Sequence, residues 1–209
     1  EMLCLRPNME NAVFGDFDEA VHVARVGYDP VLPLYRAMDF GFTNPFVCLW
    51  IQVDREGVVR VFDEYVQKGQ ITAVHGDTVM LRTPCGEDQL AMTYCDPAGG
   101  GRNGVTGTSE VKVLRDQGMR ITYCKSEILF GIEKVRAALK AGDGTSRLVI
   151  DPRCRHLIEA MRCYHYAEKG AAAMSELPVK DGVHDHPIDA LRYFFVNYQS
   201  VGKTKTGAY

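Results

Sequence analysis

Three aspartates sit among residues that would otherwise be read as core. Asp39 interrupts the apolar run "YRAMDFGF" (35–42), Asp96 ends "LAMTYC" (90–95), and Asp189 lies in "HDHPIDALRY" (184–193). Burying even a neutral polar group without a partner costs about 2–7 kcal/mol on transfer scales, so each carboxylate needs either a local bond or a ligand. The local alternative is ordinary. Asp39 and Asp96 end strands and bond nearby backbone N–H groups, while Asp185 caps a helix opening near Pro187. Asp189 then offsets the helix dipole and pairs with Arg192 three residues on. The chemical alternative joins them. Carboxylates suit the hard cations Mg2+ and Mn2+, and two such ions roughly 3.5–4 Å apart activate water and stabilise the leaving oxygen in phosphodiester cleavage. "HDHPIDALRY" supplies two histidines and two aspartates within six positions, 184–189, yet a catalytic site needs partners from elsewhere in the chain.

The surrounding elements decide whether such partners meet. Runs 35–42, 46–54 and 58–66 are apolar and β-rich, and tight turns at "TNP" and "REG" join them into an antiparallel meander. A strand within 90–99 that ends at Asp96 and Pro97, and strands at 120–124 and 146–150, then alternate with helices. Those helices are 110–118, capped by Thr108 or Ser109 and closed at Gly118, then 126–142 and 154–167. Residues 70–90 are weakly helical, and 187–199 form a closing helix. Upstream, "AVFGDFDEAVHVA" reads as a strand pair. The order predicts an α/β fold, one mixed sheet with helices on both faces. If the first strand is central, with the Asp96 strand beside it and the last helix across both, the three carboxylates converge. The expected division is a connector and strand region at 1–34, one domain at 35–199 and a flexible tail at 200–209.

Bulk properties exclude several classes. The chain of 209 residues, 46% hydrophobic and 24% charged, suits one globular domain. It has no apolar stretch of membrane-spanning length and no signal-peptide layout. Seven cysteines, odd in number and without a C-x-x-C pair, argue against a disulfide framework and a structural zinc site, and favour buried thiols in a cytosolic protein. The net charge of −3 is unevenly spread: residues 1–100 carry 7 Lys/Arg against 15 Asp/Glu, and residues 102–140 carry 8 against 4. A locally basic segment on an acidic chain is compatible with a face that contacts phosphate.

Four motifs in order, "MDFGFTNP", the strand followed by "DPAG", "CKSEILFGIEKVRAAL" and "DHPIDALRY", resemble the C-terminal nuclease domain of phage terminase large subunits, the DNA-packaging motors of tailed phages. The resemblance covers about residues 12–199. It implies an RNase H-like fold, with a three-strand antiparallel meander plus parallel strands, and a divalent-metal endonuclease that cuts concatemeric double-stranded DNA. By position, Asp39, Asp96 and Asp189 match the acidic metal-binding triad. His186 matches a histidine found in some members, and Asp185 becomes an accessory metal ligand or a cap. Lys125 in "YCKSE" matches a family lysine and is assigned to phosphate contact, and Arg102, in the glycine-rich loop 99–107, to the DNA backbone. Tyr164, Tyr166 and Tyr193 read as core or rim. The implied cofactor is Mg2+ or Mn2+, two ions during catalysis. The implied partners are DNA, the packaging ATPase domain, the portal and the small terminase subunit, in the host cytoplasm without a membrane. One departure matters: "NYQSVGKT" (197–204) ends like a phosphate-binding loop, but Asn197 stands where the first glycine belongs. Together with the start at Glu1, this suggests an excised domain with nuclease and no ATPase activity. The competing expectations are another RNase H-like nuclease (a junction resolvase or transposase core) and a non-catalytic module docking on DNA or portal.

Overall fold

Six β-rich segments pair into one sheet: β1 (Leu34–Asp39), β2 (Phe46–Val53), β3 (Val59–Gln67), β4 (Met92–Cys95), β5 (Ile121–Thr122) and β6 (Leu148–Ile150). They are seen in a computed structural model that describes residues 11–101, 104, 107–125, 127–167 and 177–201. The strand order is β5-β4-β1-β2-β3-β6. β1, β2 and β3 form the expected antiparallel meander, and β4, β5 and β6 join in parallel. Every residue of β2 is buried, which fits its near-continuous apolar sequence and a strand covered on both faces. Among the described residues one helical turn precedes the sheet, α1 (Glu19–His22), and the other helices are interspersed with or follow its strands: α2 (Thr72–Arg82), α3 (Glu110–Asp116), α4 (Ile128–Leu139), α5 (Arg155–Cys163) and α6 (Asp185–Val201).

The two-residue period of the strands sorts their side chains between two cores. Ala37, Val47, Leu49 and Tyr94 face α4, α5 and α6, packing with Ile132, Leu157, Ile188, Leu191 and Phe194. Leu34, Met38, Trp50 and Cys95 face α2 and α3, packing with Val79 and Leu114. Asp39 follows Ala37 by two and Asp96 follows Tyr94 by two. Both therefore project on the α6 side. Arg36 projects on the other side and is fully buried. There it bonds Glu87 and the hydroxyls of Thr83 and Thr93.

Four expectations are corrected. The strand pair around residues 12–24 does not form. Asp18 accepts from the Ala20 N–H and starts the helical turn α1, and the flanks make only single bridges, Ala12 to His165 and Val23 to Ile150. β1 stops at Asp39 rather than continuing to residue 42, because the chain folds back so tightly that a Cβ on Gly41 would lie 2.5 Å from the Asn44 carbonyl oxygen. α6 begins at Asp185, ahead of Pro187, whose missing N–H falls in the first turn where none is needed. Cys163 is disulfide-bonded, whereas Cys48, Cys85, Cys95, Cys124 and Cys154 are free thiols. Among the described residues no helix is long and apolar enough to cross a membrane. Residues 1–10 and the expected tail from 202 onward lie outside the described residues.

Candidate active site

β1 and β4 run parallel with Met38 paired to Cys95, so Asp39 and Asp96 end neighbouring strands side by side. The Asp96 N–H donates to the Met38 carbonyl at 3.2 Å. Its Oδ1 accepts from the Ala98 N–H at 2.9 Å, opening a 3-10 turn over Pro97–Gly100. That turn lies flat on aromatic rings. A Cβ on Gly99 would sit 2.1 Å from the Phe40 ring, and one on Gly100 would sit 2.1 Å from the Tyr123 hydroxyl. Glycine is what lets the turn approach, and the contact with Phe40 ties it to the residue after Asp39.

α6 crosses β1, β2 and β4 and brings the third group of residues. Asp181, not Asp185, organises the start of this helix, accepting from the Val183 and His184 N–H groups at 2.9 and 2.8 Å. The expected cap role of Asp185 is corrected: it is already the first residue of α6, and its Oδ1 accepts no hydrogen bond. His184 pairs with Asp181. Within the first turns of α6, His186 Nδ1 lies 2.6 Å from Asp39 Oδ2, which joins the first strand to the last helix. Asp189 Oδ1 accepts from Arg192 Nε at 3.1 Å, the pairing anticipated from their spacing, and Asp189 Oδ2 faces Lys180 Nζ at 3.5 Å. Asp39, Asp185, His186 and Asp189 are all buried.

Crowding acidic groups in a buried site has electrostatic consequences. Burial pushes the Asp39 carboxyl up to about 7, with the charges of Asp189 and Asp96 adding to the shift and His186 opposing it. Burial likewise raises Asp185. Burial pulls His186 down, but the hydrogen bond and charge of Asp39, backed by Asp185 and Asp189, hold it above its ordinary value. Glu110, in the first turn of α3, is raised by burial and by Asp96, so a further carboxylate borders the same site.

The donor chemistry fits a hard divalent cation. Asp185 Oδ1 and His186 Nε2 are buried without a hydrogen-bond partner and stand 3.9 Å apart. A buried carboxylate oxygen left unbonded is costly unless something else claims it. Among the described residues, however, no three His, Cys, Asp or Glu side chains form a ready metal cage. Three of the carboxylates also have a protein donor: His186 on Oδ2 of Asp39, the Ala98 N–H on Oδ1 of Asp96, and Arg192 and Lys180 on the two oxygens of Asp189. Only Asp189 has a donor on both oxygens, so a cation there competes with Arg192 or Lys180.

Beside Asp96 opens a groove of about 900 Å³, lined by Pro97, Ala98, Gly100, Gly101, Tyr123, Lys125 and Glu127. Lys125 is exposed on its wall. Arg102 lies outside the described residues. Tyr164 and Tyr193 are core, and Tyr166 packs against it. Asn197 bonds the Tyr193 carbonyl inside α6, so "NYQSVGKT" opens as helix and not as a phosphate loop. Glu110 and Lys180 had no role in the sequence. Glu110 was legible only as a first-turn acid, and Lys180 sits in a connector without periodicity.

The family described as "Terminase RNaseH-like domain" matches residues 36–198. No curated protein matches. Among solved structures, a large terminase from a thermophilic bacteriophage aligns with a TM-score of 0.75 and 21% identity over 90% of this chain and 45% of that one. The P22 large terminase nuclease domain aligns at 0.68 and 16%, covering 90% and 92%. The large terminase nuclease from the thermophilic phage G20c, with bound magnesium, aligns at 0.64 and 16%, covering 91% and 98%. The chain thus spans less than half the length of the first of these proteins and nearly all of the two nuclease domains.

Proposed function

Because the chain belongs to the terminase RNase H-like domain family, we propose that it is the nuclease domain of a tailed-phage terminase large subunit, a divalent-metal-dependent endonuclease cleaving concatemeric double-stranded DNA during genome packaging. The observation that carries this reading is the Asp39–His186 hydrogen bond at 2.6 Å, made where the charges of Asp96 and Asp189 are also felt. Residues 35–199 form the nuclease unit. Asp39, Asp96 and Asp189 are its metal ligands, with the unbonded oxygen of Asp185 as accessory. Magnesium in a G20c relative supports Mg2+, and cobalt in the same relative supports broader divalent use that extends to Mn2+. When bound, the metal, two ions in the proposed reaction, supplies an activated water and charge stabilisation for the leaving oxygen.

The chain's own residues do the rest. His186 holds Oδ2 of Asp39 and so fixes the carboxylate's orientation. Arg192 holds Oδ1 of Asp189, and the buried setting strengthens every charge contact in the site. Lys125 on the groove wall, and Arg102, contact the DNA backbone. The implied partners are a packaging ATPase domain, the portal and the small terminase subunit, and the setting is the cytoplasm of an infected or lysogenic bacterium.

The test is cleavage of supercoiled plasmid with Mg2+, Mn2+ or EDTA. The parent nicks and linearises with metal and is silent in EDTA. Asp39→Asn and Asp189→Asn lose about 100-fold or more, the upper end of what even supporting residues of a metal site contribute. Variants that cut like the parent would sink the ligand assignment. A parent that binds duplex but cuts with neither metal is a docking module, a reading that draws on the protein donors already engaging Asp39, Asp96 and Asp189. A strong preference for four-way junctions marks a resolvase.

A further inference from the structure

Asp189 divides its two oxygens between two unlike cations. Oδ1 accepts from Arg192, whose side chain is only 4% exposed. That guanidinium is locked in place. It lies 4.7 Å from the Tyr193 ring centroid, and its stem fills the space over Gly131 of α4, where a Cβ would come within 2.1 Å of Arg192 Cγ. Oδ2 is met by Lys180 Nζ at 3.5 Å, from a side chain that is 59% exposed. The backbone on either side of Lys180 is tethered. Val179 N–H donates to the His165 carbonyl at 2.9 Å, and Asp181 holds the start of α6. The ammonium's contact with Oδ2 is long and solvent-screened, so little free energy opposes its release.

Resting on the proposal that Asp189 is a metal ligand, we infer that Lys180 is an exchangeable counter-cation for Asp189. It competes with the divalent ion for Oδ2, while Arg192 keeps Oδ1 in either case. A lysine suits this task better than an arginine, because its ammonium is a compact point charge on a flexible stem with no fixed bidentate geometry to break. Lys180 thereby positions and gates a ligand oxygen without touching substrate.

The experiment is calorimetric titration of the 209-residue chain with Mg2+ and with Mn2+, without DNA, comparing the parent, Lys180→Gln, Lys180→Arg and Lys112→Gln. Lys112 pairs with Asp116 on exposed α3, so its variant removes the same charge away from the site. Lys180→Gln binds the ion roughly two- to fivefold tighter, the factor carried by one exposed ion pair. Lys180→Arg stays at or below parent affinity, and Lys112→Gln is unchanged. The metal-induced rise in melting temperature is correspondingly larger for Lys180→Gln. Affinity that is unchanged or weaker in Lys180→Gln, or raised equally by Lys112→Gln, overturns the inference while leaving Asp189 a ligand. If Asp189→Asn binds metal as the parent does, the ligand reading itself fails and the inference falls with it.

Discussion

Gly131 sits where α4 meets α6, and the stem of Arg192 runs through the space its missing side chain leaves. Gly131→Ala forces the arginine or the helix aside, and overpacking of this kind costs about 1–3 kcal/mol, read as a lower urea midpoint. In an Arg192→Ala background the added methyl has room, so the double change costs less than the sum of the singles. At this scale the sequence was unevenly legible. Asp39, Asp96 and Asp189 stood out because a carboxylate beside apolar neighbours demands a reason. Arg36 did not, although it is wholly buried, because its partners Thr83, Glu87 and Thr93 lie 47, 51 and 57 positions away. No local pattern encodes them.

α6 carries three of the five residues proposed for the site's centre, and its beginning is set from outside the helix. Burial pushes Asp181 up, but the His184 and Val183 N–H groups and the His184 side chain outweigh it and hold the carboxyl at about 2, well below its usual 3.8. A depressed acid stabilises the fold above its unfolded value and loses that contribution as pH falls through the folded one. Asp181→Ala should therefore cost about 1 kcal/mol near neutral pH, as lost helix-start carboxylates do. Urea titrations should find the gap from the parent closing between about pH 4 and about pH 2. A gap that persisted in acid would mean that Asp181 acts by packing. α5 shows the same device across elements: Glu64 of β3 accepts from the His156 and Leu157 N–H groups at 2.8 and 3.0 Å. The Glu64 cap was not legible, because it lies 92 positions from His156. What was legible is the type of each element from residue 34 on, since strand and helix periods differ along this chain. The misread stretch near Asp18 is one where a short turn and single bridges leave no period to read.

Across the whole molecule, the acidic first hundred residues build the meander, and the basic stretch from 102 to 140 supplies α3, β5 and α4 beside the groove that holds Lys125. With a net charge of −3, duplex DNA should be held through few phosphates. Binding measured by fluorescence anisotropy should weaken with salt, and Lys125→Ala should lower the slope of log affinity against log salt by about one. An unchanged slope would remove Lys125 from the interface. A mixed sheet with an antiparallel meander followed from element order, and convergence of the carboxylates followed only if β1 was central, as it is. The Arg192 partner of Asp189 was legible from spacing, whereas the His186 partner of Asp39 was not. The same architecture governs when the site comes into being. Asp39 and His186 are 147 positions apart, and α6 follows every strand of the sheet in the chain. During synthesis at about 5–20 residues per second, the sheet can assemble while its third carboxylate is still unmade. On the proposed reading, a copy that stops before its closing helix lacks Asp189 and should leave plasmid DNA uncut, which truncation ahead of α6 would check.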